Sequence, residues 1–312
     1  MKNSRIKFFA SFIIASVVLV GCAAKQTEGE TEKPQVSETH QTKGQEYTNI
    51  LTSTAWQGTR AYDKENNDLS EENAGFLGLA LYDFESGKYE FFDKDSGETR
   101  GDEGTFFITQ DGEKRILISQ TKGYQVVVDL TELTDEIFTY KRMGKDKEGK
   151  DVEVYVEHIP YKERELVFTN APVEDTTYSD KIEQDVRGID ILGQTLWNGT
   201  KVFDENGVDV TEENKMFISI AKFDETNNKY EFFDVATGLS RGDYGYFDII
   251  NNRVRAHVSI GEKPYGAVLT LTELNNARFT YTRMGKDKDG NEIKVFVEHE
   301  PYTGEFTPTF SF

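Results

Sequence analysis

Two of the chain's four histidines close almost the same phrase: "VYVEHIPY" at Val154 to Tyr161 and "VFVEHEPY" at Val295 to Tyr302. In an extended segment the side chains alternate between faces. Val152, Val154, Val156 and His158 therefore share one face, as do Ile293, Val295, Val297 and His299. A valine-lined face belongs in a core, so both imidazoles are expected to point inward at a strand end. A neutral imidazole there can contact a ligand or ligate haem iron. Its plainer role is that of a core histidine hydrogen-bonded to a neighbouring strand or a tyrosine hydroxyl. A third histidine, His40, sits in a polar stretch and is given no role.

Other clusters speak for chemistry less directly. Arg100-Gly101-Asp102 and Arg241-Gly242-Asp243 spell a tripeptide that binds adhesion receptors when a flexible loop displays it. A turn between strands, with glycine at positive φ and the arginine in solvent, accounts for it more simply. Asp146, Glu148 and Asp151, and in the second copy Asp287, Asp289 and Glu292, resemble a fragment of a calcium loop. The twelve-residue ligand pattern is missing, and Lys145, Lys147, Lys286 and Lys288 would oppose a cation. Neither a serine elbow, nor a zinc-binding His-Glu-x-x-His, nor a phosphate loop occurs. The expectation is a protein that is not an enzyme and that carries neither metal nor cofactor.

What must position these groups is a unit written twice. "AWQGTRAYD" from Ala55 returns as "LWNGTKVFD" from Leu196, "KYEFFDKDSGETRGDEG" from Lys88 as "KYEFFDVATGLSRGDYG" from Lys229, and "FTYKRMGKDKEG" from Phe138 as "FTYTRMGKDKDG" from Phe279. Units this long are tandem globular domains rather than solenoid repeats. Within the first copy, short alternating aromatic and β-branched runs predict strands at 55–62, 76–83, 88–93, 104–109, 114–119, 124–130, 136–143 and 151–158, with turn residues between them. Eight strands with hairpin-length connections predict an all-β fold: two tandem eight-stranded antiparallel up-and-down barrels, with a β-sandwich as the alternative. Closure removes the two sheet edges.

Trp56 two residues before Gly58, and Trp197 before Gly199, on a first strand followed by seven more, resemble the lipocalin-like (calycin) barrels. The resemblance implies that the tryptophan plugs one end and that an arginine from a late strand stacks over it; Arg142 and Arg283, in "TYxRMG", are the matching positions. The usual Gly-x-Trp is absent, since Thr54 and Thr195 stand where glycine would. Residues 50–161 and 191–302 also resemble a tandem-repeat domain of unknown function found in lipoproteins of Gram-positive bacteria. That likeness implies a lipid-anchored surface protein and no assigned activity.

The N-terminus agrees with this. Lys2, Arg5 and Lys7 precede the apolar run "FFASFIIASVVLV", and "LVGC" at Leu19 to Cys22 resembles a bacterial lipobox. The expected organisation is a signal peptide at 1–21, lipid on Cys22, a flexible tether at 22–47, barrel 1 at 48–163, a linker at 164–188 and barrel 2 at 189–312. Cys22 is the only cysteine, so the barrels are expected to hold together without disulfides. The net charge of −20 opposes binding to nucleic acid and to anionic headgroups, so the membrane is expected as a partner through the lipid alone. The expected function is non-catalytic binding of a small apolar or amphipathic ligand, at the outer face of the cytoplasmic membrane. Tyr89, Phe91, Tyr124 and Phe138, with His158 and His299, are the candidate lining. Because only one parity of each strand faces inward, about half of such a set is expected to fail. The competing reading is an interaction module whose barrels are filled by their own side chains.

Overall fold

The computed structural model describes residues 41–171 and 179–312. The signal segment, Cys22, His40 and the tether up to residue 40 lie outside the described residues, as does 172–178 of the linker. Residues 41–312 form one compact unit that holds every strand.

Each repeat closes into a barrel of eight antiparallel strands, each paired with the next. Barrel 1 comprises β1 (Trp56–Tyr62), β2 (Leu79–Tyr82), β3 (Lys88–Phe92), β4 (Thr99–Ile108), β5 (Lys114–Ser119), β6 (Gln125–Leu133), β7 (Phe138–Lys145) and β8 (Asp151–Pro160). Barrel 2 comprises β9 (Trp197–Asp204), β10 (Ile220–Asp224), β11 (Lys229–Phe233), β12 (Ser240–Ile250), β13 (Val254–Ser259), β14 (Tyr265–Asn275), β15 (Arg278–Lys286) and β16 (Glu292–Pro301). The segments ending in Val-Glu-His are the closing strands. β8 returns to β1 with His158 opposite Gly58, and β16 returns to β9 with His299 opposite Gly199. The valines beside each histidine face the core as alternation requires.

The tether is shorter than its composition suggests. A helix, α1 (Lys43–Thr52), occupies what the sequence assigns to flexible chain up to residue 47. Thr42 and Gln45 form a reciprocal capping box at its start, which satisfies amides that would otherwise lie bare. Leu51 is fully buried, with Tyr47 and Ile50 packed on the barrel core. A shorter helix, α2 (Gly188–Gly193), takes the same place beneath barrel 2, with Ile191 and Leu192 buried.

These helices decide what plugs the barrels. Trp56 and Trp197 are fully buried, as the calycin resemblance implied. Their polar partners, however, are helix carbonyls: each indole Nε1 donates to the Leu51 oxygen at 2.8 Å or the Leu192 oxygen at 3.0 Å. Phe138 and Phe279 meet the indoles edge-on, at 5.7 and 5.1 Å between ring centroids. Arg142 and Arg283 do not stack on the tryptophans. Their guanidinium carbons lie 3.9 and 3.8 Å from the ring centres of Phe76 and Phe217, at the opposite end. The reason is distance along the strand. β7 begins at Phe138 beside Trp56, and four residues of strand carry Arg142 roughly 13 Å away.

Phe76 and Phe217 belong to the long connection after the first strand, which ends in a 3-10 turn at Ala74–Phe76 and another at Glu212–Phe217. One buried asparagine anchors each. Asn73 Nδ2 donates to the carbonyls of Leu69 and Lys145, both at 2.9 Å, while its Oδ1 accepts from the Lys145 amide at 2.9 Å. Asn214 makes the same three bonds to Val210 and Lys286. The connection is thereby tied to the β7–β8 hairpin, or to β15–β16, as a fixed lid.

Outside the barrels, a buried glutamate on the third strand holds down the segment that follows each repeat. Glu90 accepts from Thr99, from Thr169 Oγ1 and from the Thr169 amide; Glu231 accepts from Ser240, Ser311 Oγ and the Ser311 amide. The barrels meet through an apolar joint of Phe107, Ile116 and Ile118 against Tyr246, Ile250, Ala256 and Val258. Removing the lid anchor by Asn73→Ala leaves the Lys145 amide and carbonyl without partners, and is expected to cost about 3 kcal/mol. Equilibrium unfolding in urea measures this; a loss below about 1 kcal/mol would show that the lid is not held by this side chain.

Candidate functional site

Between the tryptophan floor and the lid of barrel 1 lies a cavity of about 520 Å³. Its apolar wall is Phe76, Leu79, Ala80, Phe91, Leu117 and Val126. Its polar wall is Arg100, Asp102, Arg115, Lys122, Tyr124, Gln125, Tyr140, Arg142 and His158. An apolar hollow with a few convergent polar groups is the usual form of a small-molecule site.

The sequence-stated candidates divide. Phe91, Tyr124 and His158 line the cavity. Tyr89 and Phe138 point inward but are fully buried in the packing that surrounds it. His158 stacks against Phe138 and Tyr140, at 5.1 and 5.5 Å. Its Nδ1 is buried with no hydrogen-bond partner. Burial, and after it the charge of Arg115, pushes the imidazole down to about 3, so it is neutral at ordinary pH. His299 lies flat on Phe279 at 4.2 Å and is likewise pushed down to about 3, by burial and then Arg255.

Arg-Gly-Asp is strand rather than a displayed loop or a turn, although Arg100 and Arg241 are exposed as expected. β4 starts at Thr99, five residues before its expected start, and takes the tripeptide into the strand. Gly101 and Gly242 do adopt positive φ, +61° and +68°. The arginines reach the lid: Arg100 donates to the Gly75 carbonyl, and Arg241 to those of Met216 and Ile218. The aspartates turn inward. Asp102 accepts from Tyr124 at 2.6 Å, Ser119 at 2.8 Å and Tyr89 at 3.3 Å. Asp243 accepts from Tyr265 at 2.9 Å and Tyr230 at 3.0 Å. The Asp146 and Asp287 carboxylates are used inside their own turns, accepting from the backbone amides of Glu148 and Lys150, and of Asp289 and Asn291.

The residue that sequence reasoning passed over is an arginine. Arg115 and Arg255 are only 3% and 2% exposed, on the inward face of the fifth strand of each barrel. Arg115 donates from Nη1 to the Tyr82 hydroxyl, and its guanidinium carbon lies 4.5 Å from the Tyr140 ring centre and 5.0 Å from that of Phe138. The signal was available: "KRILIS" and "VRAHVS" both put arginine on the same parity as the inward Leu117 or His257.

A family profile described as a domain of unknown function, DUF4822, matches residues 48–168 and again 189–310. The chain belongs to that family. The two DUF4822 repeats coincide with the two barrels, each match running on into the segment pinned by Glu90 or Glu231. No curated protein matches the chain. Among solved structures, a DUF3598-family protein of unknown function from Nostoc punctiforme PCC 73102 is 10% identical over 82% of this chain and 98% of its own, with a TM-score of 0.21. A putative thioesterase II from Thermobifida fusca YX is 7% identical over 58% of this chain and 75% of its own, with a TM-score of 0.11. Likenesses this slight bear on neither fold nor function.

The DUF4822 repeats differ at the wall. Leu117, paired with Phe106, is replaced in the second repeat by His257, paired with Phe247. His257 Nε2 lies 3.2 Å from the Tyr265 hydroxyl, which gives its own proton to Asp243. The Nε2–H therefore donates to Tyr265 and fixes the tautomer. Burial, then Arg255 and Arg283, holds His257 far below the usual histidine range. A second hollow of about 410 Å³, between the DUF4822 repeats, is lined by α1, the connecting segment and β12. It includes Asp248, whose carboxyl burial pushes up to about 7.

Three histidines that stay neutral when folded make acid destabilising. Their folded pKa values lie below the unfolded value near 6.5, so the unfolded chain binds more protons between the two. The stability they contribute is complete above about pH 6.5 and is lost as pH falls toward 3. Each contributes a slope of up to about 1.4 kcal/mol per pH unit in that window. Replacing His158 by Phe is expected to flatten the unfolding free energy between pH 6.5 and 5 by about one proton's worth. An unchanged slope would mean that His158 titrates normally.

Proposed function

We propose that this protein is an exported, lipid-anchored bacterial lipoprotein that binds a small amphipathic molecule in its first barrel without transforming it. The observation that carries the reading is the cavity of about 520 Å³ between floor and lid, which falls within the roughly 300–1,000 Å³ of small-molecule sites. Its lining combines apolar side chains with charged and polar ones, as an amphipathic guest requires. The leader, with its lipobox-like "LVGC", supports attachment through Cys22 at the outer face of the cytoplasmic membrane. The polypeptide then needs no contact of its own with the bilayer.

Native mass spectrometry of residues 41–312 purified from cells is expected to show a retained small molecule. Leu117→Trp, which fills the cavity from its apolar wall, is expected to lose that molecule while keeping the barrel's far-ultraviolet spectrum. A wild-type chain that never carries a guest, and gains no thermal stability from any apolar probe, would sink the binding reading. For the anchor, cells fed labelled palmitate are expected to label the wild type and not Cys22→Ser; label on both, or on neither, would remove it.

A further inference from the structure

We propose that the guest of barrel 1 is an amphipathic anion, an apolar body ending in a carboxylate or phosphate, with its charged group held by Arg115. The proposal rests on the binding reading above and narrows it to a ligand class.

The lining is charged against the trend of the whole molecule. The protein carries −20, yet the cavity wall holds four permanent cations, Arg100, Arg115, Lys122 and Arg142, against the single carboxylate of Asp102. That carboxylate is already engaged by Tyr124, Ser119 and Tyr89. Its partners are neutral hydroxyls, and among the described residues it makes no ion pair with any of the four cations. Arg100 and Arg142 are engaged at the mouth, by the Gly75 carbonyl and the Phe76 ring.

Arg115 is different. It is the second residue of β5, deep in the barrel at the α1 end. Among the described residues its only hydrogen bond is the one from Nη1 to Tyr82, and no carboxylate pairs with it. Its Nε is buried without a partner. A guanidinium out of water with no anion beside it is costly, and removing that cost is what an entering anion would supply. Nη2 neither bonds Tyr82 nor is among the fully buried orphaned atoms, which leaves it as the nitrogen whose N–H groups a carboxylate or phosphate oxygen can meet. The rings of Phe138 and Tyr140 hold the guanidinium plane still. The neutral His158 adds no competing charge, and Tyr124 is already committed to Asp102. From Arg115, the apolar wall of Leu117, Val126, Phe91 and Phe76 leads toward the lid, which places the apolar body there. Barrel 2 has the equivalent Arg255, with Nε and Nη1 unpartnered. Its wall carries His257 where barrel 1 carries Leu117, and so barrel 1 is the site assigned.

The test uses residues 41–312 and one apolar chain with four head groups: decanoate, decyl phosphate, 1-decanol and decylamine, titrated calorimetrically. Fluorescence of the uncharged probe N-phenyl-1-naphthylamine reports the cavity independently of charge. At least one anion is expected to bind roughly tenfold or more tighter than decanol, with decylamine no better than decanol. Whichever anion is tighter distinguishes a carboxylate from a phosphate ligand. Arg115→Gln is expected to erase the preference, so that on this variant the anions bind no tighter than decanol; Arg255→Gln is expected to leave it intact. Equal affinity for anion and alcohol, a preference for the amine, or a preference that survives Arg115→Gln overturns the anion site and spares the cavity. If neither the naphthylamine nor any decyl compound binds, the binding reading itself fails. The head-group series on the wild-type chain decides the preference even if Arg115→Gln does not fold.

Discussion

Eight strands hydrogen-bonded into a ring leave an interior of fixed size, and only the residues of one parity can enter it. Everything else in each repeat answers to that limit. The tryptophans of the first strands close one end, but an indole N–H sealed there needs an acceptor that the ring itself does not offer. The helix before each repeat supplies it, through the carbonyls of Leu51 and Leu192. The opposite end cannot be closed by strands either, and there the long connection after the first strand folds over, anchored by Asn73 or Asn214. The hollow of barrel 1 is what remains between these two closures.

The same limit explains the polar groups inside. A charged or hydroxylated side chain of inward parity is largely withdrawn from bulk water, so it gains by finding partners among other inward side chains. Asp102 and Asp243 do so by gathering tyrosine hydroxyls. His257 does so by joining Tyr265. Arg115 and Arg255 do so only in part, through aromatic faces and, for Arg115, Tyr82. A buried, incompletely satisfied guanidinium distinguishes these barrels from ones that are only packed.

Alternation made much of this legible from sequence. The valines and histidines of "VYVEHIPY" and "VFVEHEPY" fall on the face that period two assigns, and the repeated segments are the strands that close each ring. Parity, however, says nothing of level along the barrel. Arg142 and Arg115 both point inward on strands rich in apolar residues, and only the three-dimensional stagger shows that Arg142 belongs to the lid and Arg115 to the deep wall. For the same reason Tyr89 and Phe138 passed the test of direction and still lie outside the cavity lining. The helix α1 was hidden by composition: its buried contacts rest mainly on Tyr47, Ile50 and Leu51 within a polar stretch. Arg-Gly-Asp misled because its glycine reads as a turn, whereas here it lies beside the bulge at which β3 and β4 shift register.

The bond from Trp56 to Leu51 also bears on where one module ends. The family profile begins at residue 48, in the middle of α1. A repeat excised at that point would keep the acceptor carbonyl and lose the Thr42–Gln45 cap, along with the Gly44 amide that donates to Gln110 at the β4–β5 turn. The remaining turn of helix would be too short to hold itself, and the indole would face a fraying end instead of a fixed oxygen. The first barrel is thus completed by the helix that precedes it, and the family match begins inside that helix, several residues after its cap.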